Sequence, residues 1–132
     1  MKKKILVDMS CTILHHGHVR LLKKASKFGK VIVALTTDKE IRKYKGYFPE
    51  IEFKYRKEIL SSIKFVNRVI PSRWKITDAF LKKNKIDIIV RGSDYKNEKF
   101  KTKTIIFPRT KKISSSIIRK KIDNSDKYNI NI

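Results

Sequence analysis

Short runs of aliphatic residues alternate along the chain with segments whose apolar positions recur at helical spacing, a pattern that predicts strands joined by helices. Residues 4–7 form the first expected strand. A helix is expected over 17–28, with Val19, Leu21, Leu22 and Ala25 on its apolar side and Gly29 at its end. Residues 31–35 are apolar throughout and β-branched at the start, as in a strand covered on both faces. Thr36, Thr37 and Asp38 have the composition of a helix cap. Beyond a loop holding Gly46 and Pro49, Ile59, Leu60 and Ile63 give helical spacing within 53–65, and a short strand follows over 66–70, stopped by Pro71. Ile76, Ala79, Phe80 and Leu81 predict a helix to about Asn84, followed by strands over 86–90 and 104–107. A last helix is expected over 114–122, which leaves 123–132 as a polar, frayed tail.

The alternation reads as one α/β domain over 1–122, without internal repeats or linkers, built on an open parallel sheet. The length, 132 residues, suits one domain and not two. Crossovers between parallel strands are right-handed, and such sheets bind ligands at the carboxyl ends of their strands. Three polar clusters fall at that edge: His15-His16-Gly17-His18 after the first strand, Arg91-Gly92-Ser93-Asp94-Tyr95 after the fourth, and Arg109 to Ser116 after the fifth.

Charge changes this picture less than its size suggests. Lys and Arg number 34 against 12 Asp and Glu, a net of +22, which raises the expectation of a polyanionic partner. The basic residues are mostly Lys, spread among many Ile and Asn, as biased base composition would impose on any protein. One asymmetric stretch, 99–121, holds nine basic residues and no acidic one. With no zinc-finger, RNA-recognition or basic-aromatic pattern, nucleic acid is not the expected partner. No apolar run reaches the roughly 18 residues of a membrane span, and the apolar stretch after Lys2-Lys3-Lys4 ends at Asp8, too short for secretion. A cytoplasmic protein without a membrane partner is expected. The single Cys11 closes no intramolecular disulfide and reads as a packing residue.

The clusters have the chemistry of a phosphate site. Gly17 lets backbone approach a ligand closely, and His15 and His18 flank a helix start whose free N–H groups favour anions. Imidazole donors aimed at a reacting phosphorus stabilise charge developing there without a covalent intermediate. Zinc fits poorly, because no Cys or further His completes a ligand set. Arg109, Thr110, Lys111 and Lys112 precede Ser114, Ser115 and Ser116 at the last helix start, an arrangement equally suited to polyphosphate and to ordinary capping. Gly92 and Asp94 make a turn that suits a nucleobase or ribose and is also common turn chemistry.

Together, His-x-Gly-His after the first strand, Arg-Gly-x-Asp after the fourth and Arg-Thr-x-x-Ile-Ser-Ser-Ser before the last helix resemble the small cytidylyltransferases, of the glycerol-3-phosphate cytidylyltransferase type. The resemblance covers about residues 3–122. It implies a Rossmann-like nucleotidyltransferase fold, about five parallel strands with helices on both faces, and a reaction in which a phosphorylated acceptor attacks the α-phosphate of CTP with Mg²⁺ assistance, releasing pyrophosphate. Carried over, His15, His18, Lys45 and Arg109 are catalytic. Met9, Ser10, Gly17, Gly92, Asp94, Arg109, Thr110, Ile113, Ser114, Ser115 and Ser116 bind nucleotide, and Asp38, Lys45 and Arg56 bind the acceptor. No protein metal ligand is assigned, and a homodimer is implied.

The departures concern charge. Met9-Ser10-Cys11-Thr12 stands where the family usually has Gly-Thr-Phe-Asp, so Thr12 can replace a hydrogen bond of that Asp but not its charge. Asn67 likewise stands where an acid is common. The Met9-Ser10 start resembles cytidylyltransferase domains associated with phosphoenolpyruvate mutase, which act on phosphonates, and Arg91 to Tyr95 resembles heptose-phosphate adenylyltransferases. The readings left open are therefore CMP transfer to a small phosphate- or phosphonate-bearing acceptor, adenylyl transfer to a sugar phosphate, and nucleotide binding without turnover.

Overall fold

The computed structural model describes residues 2–95 and 97–124. The elements run β1 Lys4–Met9, α1 His16–Ser26, β2 Lys30–Thr36, α2 Asp38–Lys45, α3 Phe53–Ser61, β3 Arg68–Ser72, α4 Asp78–Lys83, β4 Ile88–Gly92, a 3-10 turn Ser93–Tyr95, β5 Lys103–Phe107 and α5 Ser115–Asp123. The five strands form one sheet in the order β3-β2-β1-β4-β5, and every pairing is parallel.

Alternation along the central strands divides the core between the two faces of this sheet. On one side Ile5 and Val7 pack with Val31, Val33 and Leu35, covered by Leu22 and Ala25 of α1 and Leu60 of α3. On the other, Leu6, Ile32, Ala34 and Ile89 meet Ile76, Ile86 and Leu81 of α4. Burial on both faces is why β1 and β2 read as continuous apolar runs. Gly29 brings the end of α1 against the start of β1: a Cβ at this position would lie 2.2 Å from the Lys3 carbonyl oxygen, which accepts the Lys30 N–H at 2.8 Å.

Several boundaries differ from expectation. Pro71 does not stop the third strand; it lies within β3, paired in register with Leu35. β3 is an edge strand, so a residue without an N–H is tolerated on its unpaired side. The helix expected over 53–65 ends at Ser61, and Ile63, Phe65 and Val66 pack on the core from the turns that follow. The fourth strand begins at Ile88 because Ile86 packs with α4, while the Asp87 carboxylate accepts the Lys4 N–H. Ser114 caps the last helix from outside, and Asp123 is its final residue. The rest of the expected tail, from 125 on, lies outside the described residues.

With all strands parallel, every carboxyl end opens on one edge. β1 is the switch point, with β2 and β3 on one side and β4 and β5 on the other, and the chain leaves it in opposite directions to make the two halves.

Candidate active site

At that switch point a cavity of about 290 Å³ opens over the end of β1. Its floor includes Met9, Ser10 and Thr12. One wall, from the β4–β5 side, carries Gly92, Asp94, Tyr95, Arg109 and Thr110; the other, from the β2–β3 side, carries Lys45, Tyr47 and Trp74. α1 contributes Gly17 and His18 with His15 just ahead, and the start of α5 contributes Ser114, Ser115, Ser116 and Arg119, with Ile113 beside them. His16 is exposed and does not line the cavity.

The two histidines cap α1 reciprocally. His15 Nδ1 accepts the Gly17 N–H at 3.1 Å, and His18 Nδ1 accepts the His15 N–H at 3.2 Å. This is the geometry of a capping box with imidazoles in place of a hydroxyl and a carboxylate. The rings lie 3.9 Å apart, centroid to centroid. A Cβ on Gly17 would stand 2.8 Å from His15 Cε1, so glycine is what lets that ring sit back over the helix start. Burial pushes the His18 pKa down to about 3, helped by the neighbouring His15 and by Arg109. His15 is lowered for the same leading reason, with His16 and Arg109 adding to it. Both rings are therefore neutral near pH 7. Because each Nδ1 accepts from backbone, the proton of each neutral ring is on Nε2, which is left as a donor.

Around this pair the arginines differ. Arg91 is buried and held by Asp8 at 2.8 Å and by Glu98, with its guanidinium 4.2 Å from the Tyr95 ring centroid. Burial by itself would lower its pKa; the Asp8 and Glu98 carboxylates outweigh that and hold it above the ordinary value. Arg109 is half exposed and paired with Asp94. The hydroxyls at the α5 start are also unequal. Ser114 accepts the Ile117 N–H at 3.0 Å, and Ser115 donates to the Ile13 carbonyl at 2.9 Å, which docks α5 on the loop after β1. Ser116 is exposed.

Two expected acceptor residues lie elsewhere. Neither Asp38 nor Arg56 lines the cavity. Arg56 is 2% exposed and donates to the carbonyls of Ser10 at 2.6 Å, Thr36 at 3.0 Å and Ile51 at 2.9 Å, and to Asp38 at 2.6 Å. Asp38 accepts in addition from the Phe53 N–H. The pair ties the ends of β1 and β2 to the start of α3 beneath the site, because a buried guanidinium needs all its donors satisfied. Lys45 does reach the cavity, 5.6 Å from the centroid of Trp74, whose backbone N–H donates to Glu40 at 3.0 Å and whose ring stacks on Tyr44. Tyr47, Trp74 and Arg119 went unnoticed in the sequence, where no local pattern separates them from surface residues. Cys11 is buried with its pKa pushed up to about 12 by burial, an inert thiol.

The family model described as cytidylyltransferase-like matches residues 12–121, which include both histidines and the whole of the α5 motif. The chain belongs to the cytidylyltransferase-like family. Among curated members, glycerol-3-phosphate cytidylyltransferase of Staphylococcus aureus is 33% identical, over 94% of this chain and 98% of its own length. The Bacillus subtilis enzyme of the same name is 32% identical over 91% of this chain and 97% of its own. Bifunctional protein HldE of Hydrogenovibrio crunogenus is 33% identical over 71% of this chain, which matches 20% of that longer protein. The lipopolysaccharide core biosynthesis protein of Thermoplasma volcanium superposes with a TM-score of 0.71 at 23% identity, over 82% of this chain and 98% of its own, a likeness of fold. No helix of this cytidylyltransferase-like chain, among the described residues, is long and apolar enough to cross a membrane.

Proposed function

We propose that this protein transfers CMP from CTP to a small phosphate- or phosphonate-bearing acceptor. The observation that carries the reading is the pair of neutral imidazoles, each fixed by a backbone N–H at Nδ1 and free to donate from Nε2, beside the half-exposed Arg109. The curated relatives are named for CMP transfer to glycerol 3-phosphate and match nearly end to end.

In this reading an acceptor oxygen attacks the α-phosphorus, the bond to the bridging oxygen breaks, and pyrophosphate leaves. His15 and His18 donate to oxygens whose charge grows in the transition state, and preorganised donors of this kind need no reorganisation as the reaction proceeds. Arg109 exchanges Asp94 for the triphosphate, because an exposed ion pair is worth at most about 1 kcal/mol. Asp94, with Gly92, then faces the nucleoside; a Cβ on Gly92 would meet nothing within 4 Å, so the space is open there. Thr110, Ser116 and the N–H groups of α5 complete the phosphate cradle, with Ser114 and Ser115 as its frame. Met9 and Ser10 form the floor, Lys45 meets the acceptor, and Asp38 and Arg56 hold that floor in position.

The residues present do not fit a resident metal. Among the described residues no three His, Cys, Asp or Glu side chains gather around one point, and the carboxylates at the cavity, Asp8 and Asp94, are paired with arginines. Mg²⁺ belongs to this reading only as part of the nucleotide substrate. A cytoplasmic homodimer also belongs to it; Tyr44, Phe48, Tyr55 and Ile59 are exposed apolar side chains available for subunit contact, and sedimentation velocity tests it.

The deciding experiment is a pyrophosphate-release assay with CTP and ATP against glycerol 3-phosphate, 3-phosphoglycerate, choline phosphate, heptose phosphates, 2-aminoethylphosphonate and phosphonoacetate. Release with CTP and at least one acceptor is expected. Release with ATP alone, or none with any pair, overturns the reading.

A further inference from the structure

Arg119 stands one turn beyond Ser115 on α5, about 6 Å along the helix axis, and reaches across the cavity toward the β2–β3 wall. It donates at 2.6 Å to Thr12 Oγ1, the hydroxyl that stands where the resemblance leads one to expect a carboxylate. It also donates at 2.6 Å to Glu50 and lies 4.7 Å from the centroid of the Tyr47 ring. Arg119 lines the cavity and Glu50 does not, so the carboxylate sits on this guanidinium at the rim. The Arg119 side chain is 20% exposed and that of Glu50 49%, so water reaches the pair and competition for it is cheap. An aspartate at position 12 would neutralise this arginine from within the floor. A threonine takes one of its hydrogen bonds and leaves its charge to the rim.

We infer that Arg119 is a specificity-determining residue for acceptors that carry a second anionic group, a carboxylate or its equivalent, and that Glu50 occupies the same seat in the free enzyme and is displaced. The inference rests on the transferase reading and narrows its acceptor class. A guanidinium offers a planar fork to a carboxylate, so a second anionic group on the acceptor can take the two donors that Glu50 holds. Thr12 stays as a neutral partner that fixes the guanidinium without competing for charge. The Tyr47 ring beneath the guanidinium keeps its plane in place while the anion changes. Lys45 on the same wall remains for the phosphoryl or phosphonyl group.

The test compares two acceptors that differ at one end, 3-phosphoglycerate with a carboxylate and glycerol 3-phosphate with a hydroxymethyl group. Calorimetry on the whole chain measures their affinities in the presence of a CTP analogue with a methylene bridge between the α and β phosphorus atoms. The wild-type protein should prefer 3-phosphoglycerate by roughly tenfold, the size of one charge-assisted pair. Arg119→Gln should bring the two affinities together, and Arg119→Lys should restore part of the preference. Glu50→Gln should raise the preference several-fold by removing the internal competitor. Taking the ratio of two ligands on one variant cancels any loss of folded protein. A ratio unchanged by Arg119→Gln, a Glu50→Gln effect equal for both ligands, or no measurable 3-phosphoglycerate binding overturns the inference. Failure of the transferase reading is separate: it is the absence of pyrophosphate release with CTP, read in its own assay.

Discussion

Four arginines meet carboxylates near the carboxyl edge of this sheet, and they fall into two pairs. The Arg56 and Arg91 side chains are 1% and 3% exposed, and their donors go to strand-end carbonyls and to Asp38, Asp8 and Glu98. Those of Arg109 and Arg119 are 53% and 20% exposed, with Asp94 and Glu50 partnering them from positions half open to water. The residue types are the same. Burial makes the first pair part of the scaffold, since removing the Arg56 guanidinium would strand the Ser10, Thr36 and Ile51 carbonyls and removing that of Arg91 would leave the Asp8 carboxylate uncompensated. Exposure makes the second pair exchangeable, since water and a polyanionic ligand both compete for it. The histidines combine both conditions in one ring, with Nδ1 held by backbone and Nε2 free.

The largest expected effect tests the buried side of this contrast. Arg56→Met should lower unfolding free energy by about 3–5 kcal/mol, whereas Arg109→Met should change it by less than about 1 kcal/mol. Urea denaturation of the two variants measures the difference, and equal losses would erase the distinction.

His18→Ala should come next, lowering kcat by on the order of 10² to 10³ while CTP affinity largely holds. Its two functions can be separated. Asn at position 18 mimics the Nδ1 acceptor and should keep the α1 cap, measured by thermal stability, without restoring turnover; Gln mimics the Nε2 donor and should recover more of the rate. His16→Ala, on an exposed ring outside the cavity, serves as the control and should cost little.

For the exchangeable arginine, Arg109→Ala should raise the KM for CTP by roughly tenfold and lower kcat as well, because its contact is made before and during the reaction. Steady-state kinetics at fixed salt give both numbers. A change in kcat alone would mean that Arg109 leaves Asp94 only in the transition state.

The smallest effect is in pH. His18 ordinarily titrates at 6.5 and in the fold is lowered to about 3 by burial. Below pH 6.5 the unfolded chain binds a proton that the folded chain refuses, so stability falls as pH drops from 6.5 toward 3; above 6.5 both states are neutral and the group contributes nothing. Melting temperature should therefore fall by about a few degrees more between about pH 6.5 and 5.5 in the wild type than in His18→Gln. Bound CTP should shrink the difference, since triphosphate favours the imidazolium.

Much of this was legible before the structure. The helical spacing of α1, the apolar runs of β1 and β2, and the motifs around His15, Gly92 and Arg109 are each written within a short stretch of chain, and local backbone geometry turns such patterns directly into elements and clusters. Where reading along the chain failed, a neighbour from elsewhere had decided the matter. Pro71 marks an end in most strands, and only the edge position of β3 makes it acceptable. Asp38 and Arg56 have the chemistry of acceptor binders, and only the fold shows them paired with each other outside the cavity lining.

The amino-acid sequence by itself determined the order of strands and helices, the sheet edge at which function gathers, and the two imidazoles set about a glycine at a helix start. Each follows from hydrogen-bonding and steric preferences acting over a turn or two. Tertiary structure decided which charges are available. The fold joins Arg56 to Ser10 across 46 positions, Arg91 to Asp8 across 83 and Arg119 to Thr12 across 107. A charge in low dielectric is bound to its partners and one facing water can exchange them, and that difference depends on what the crossovers bring to lie above each side chain.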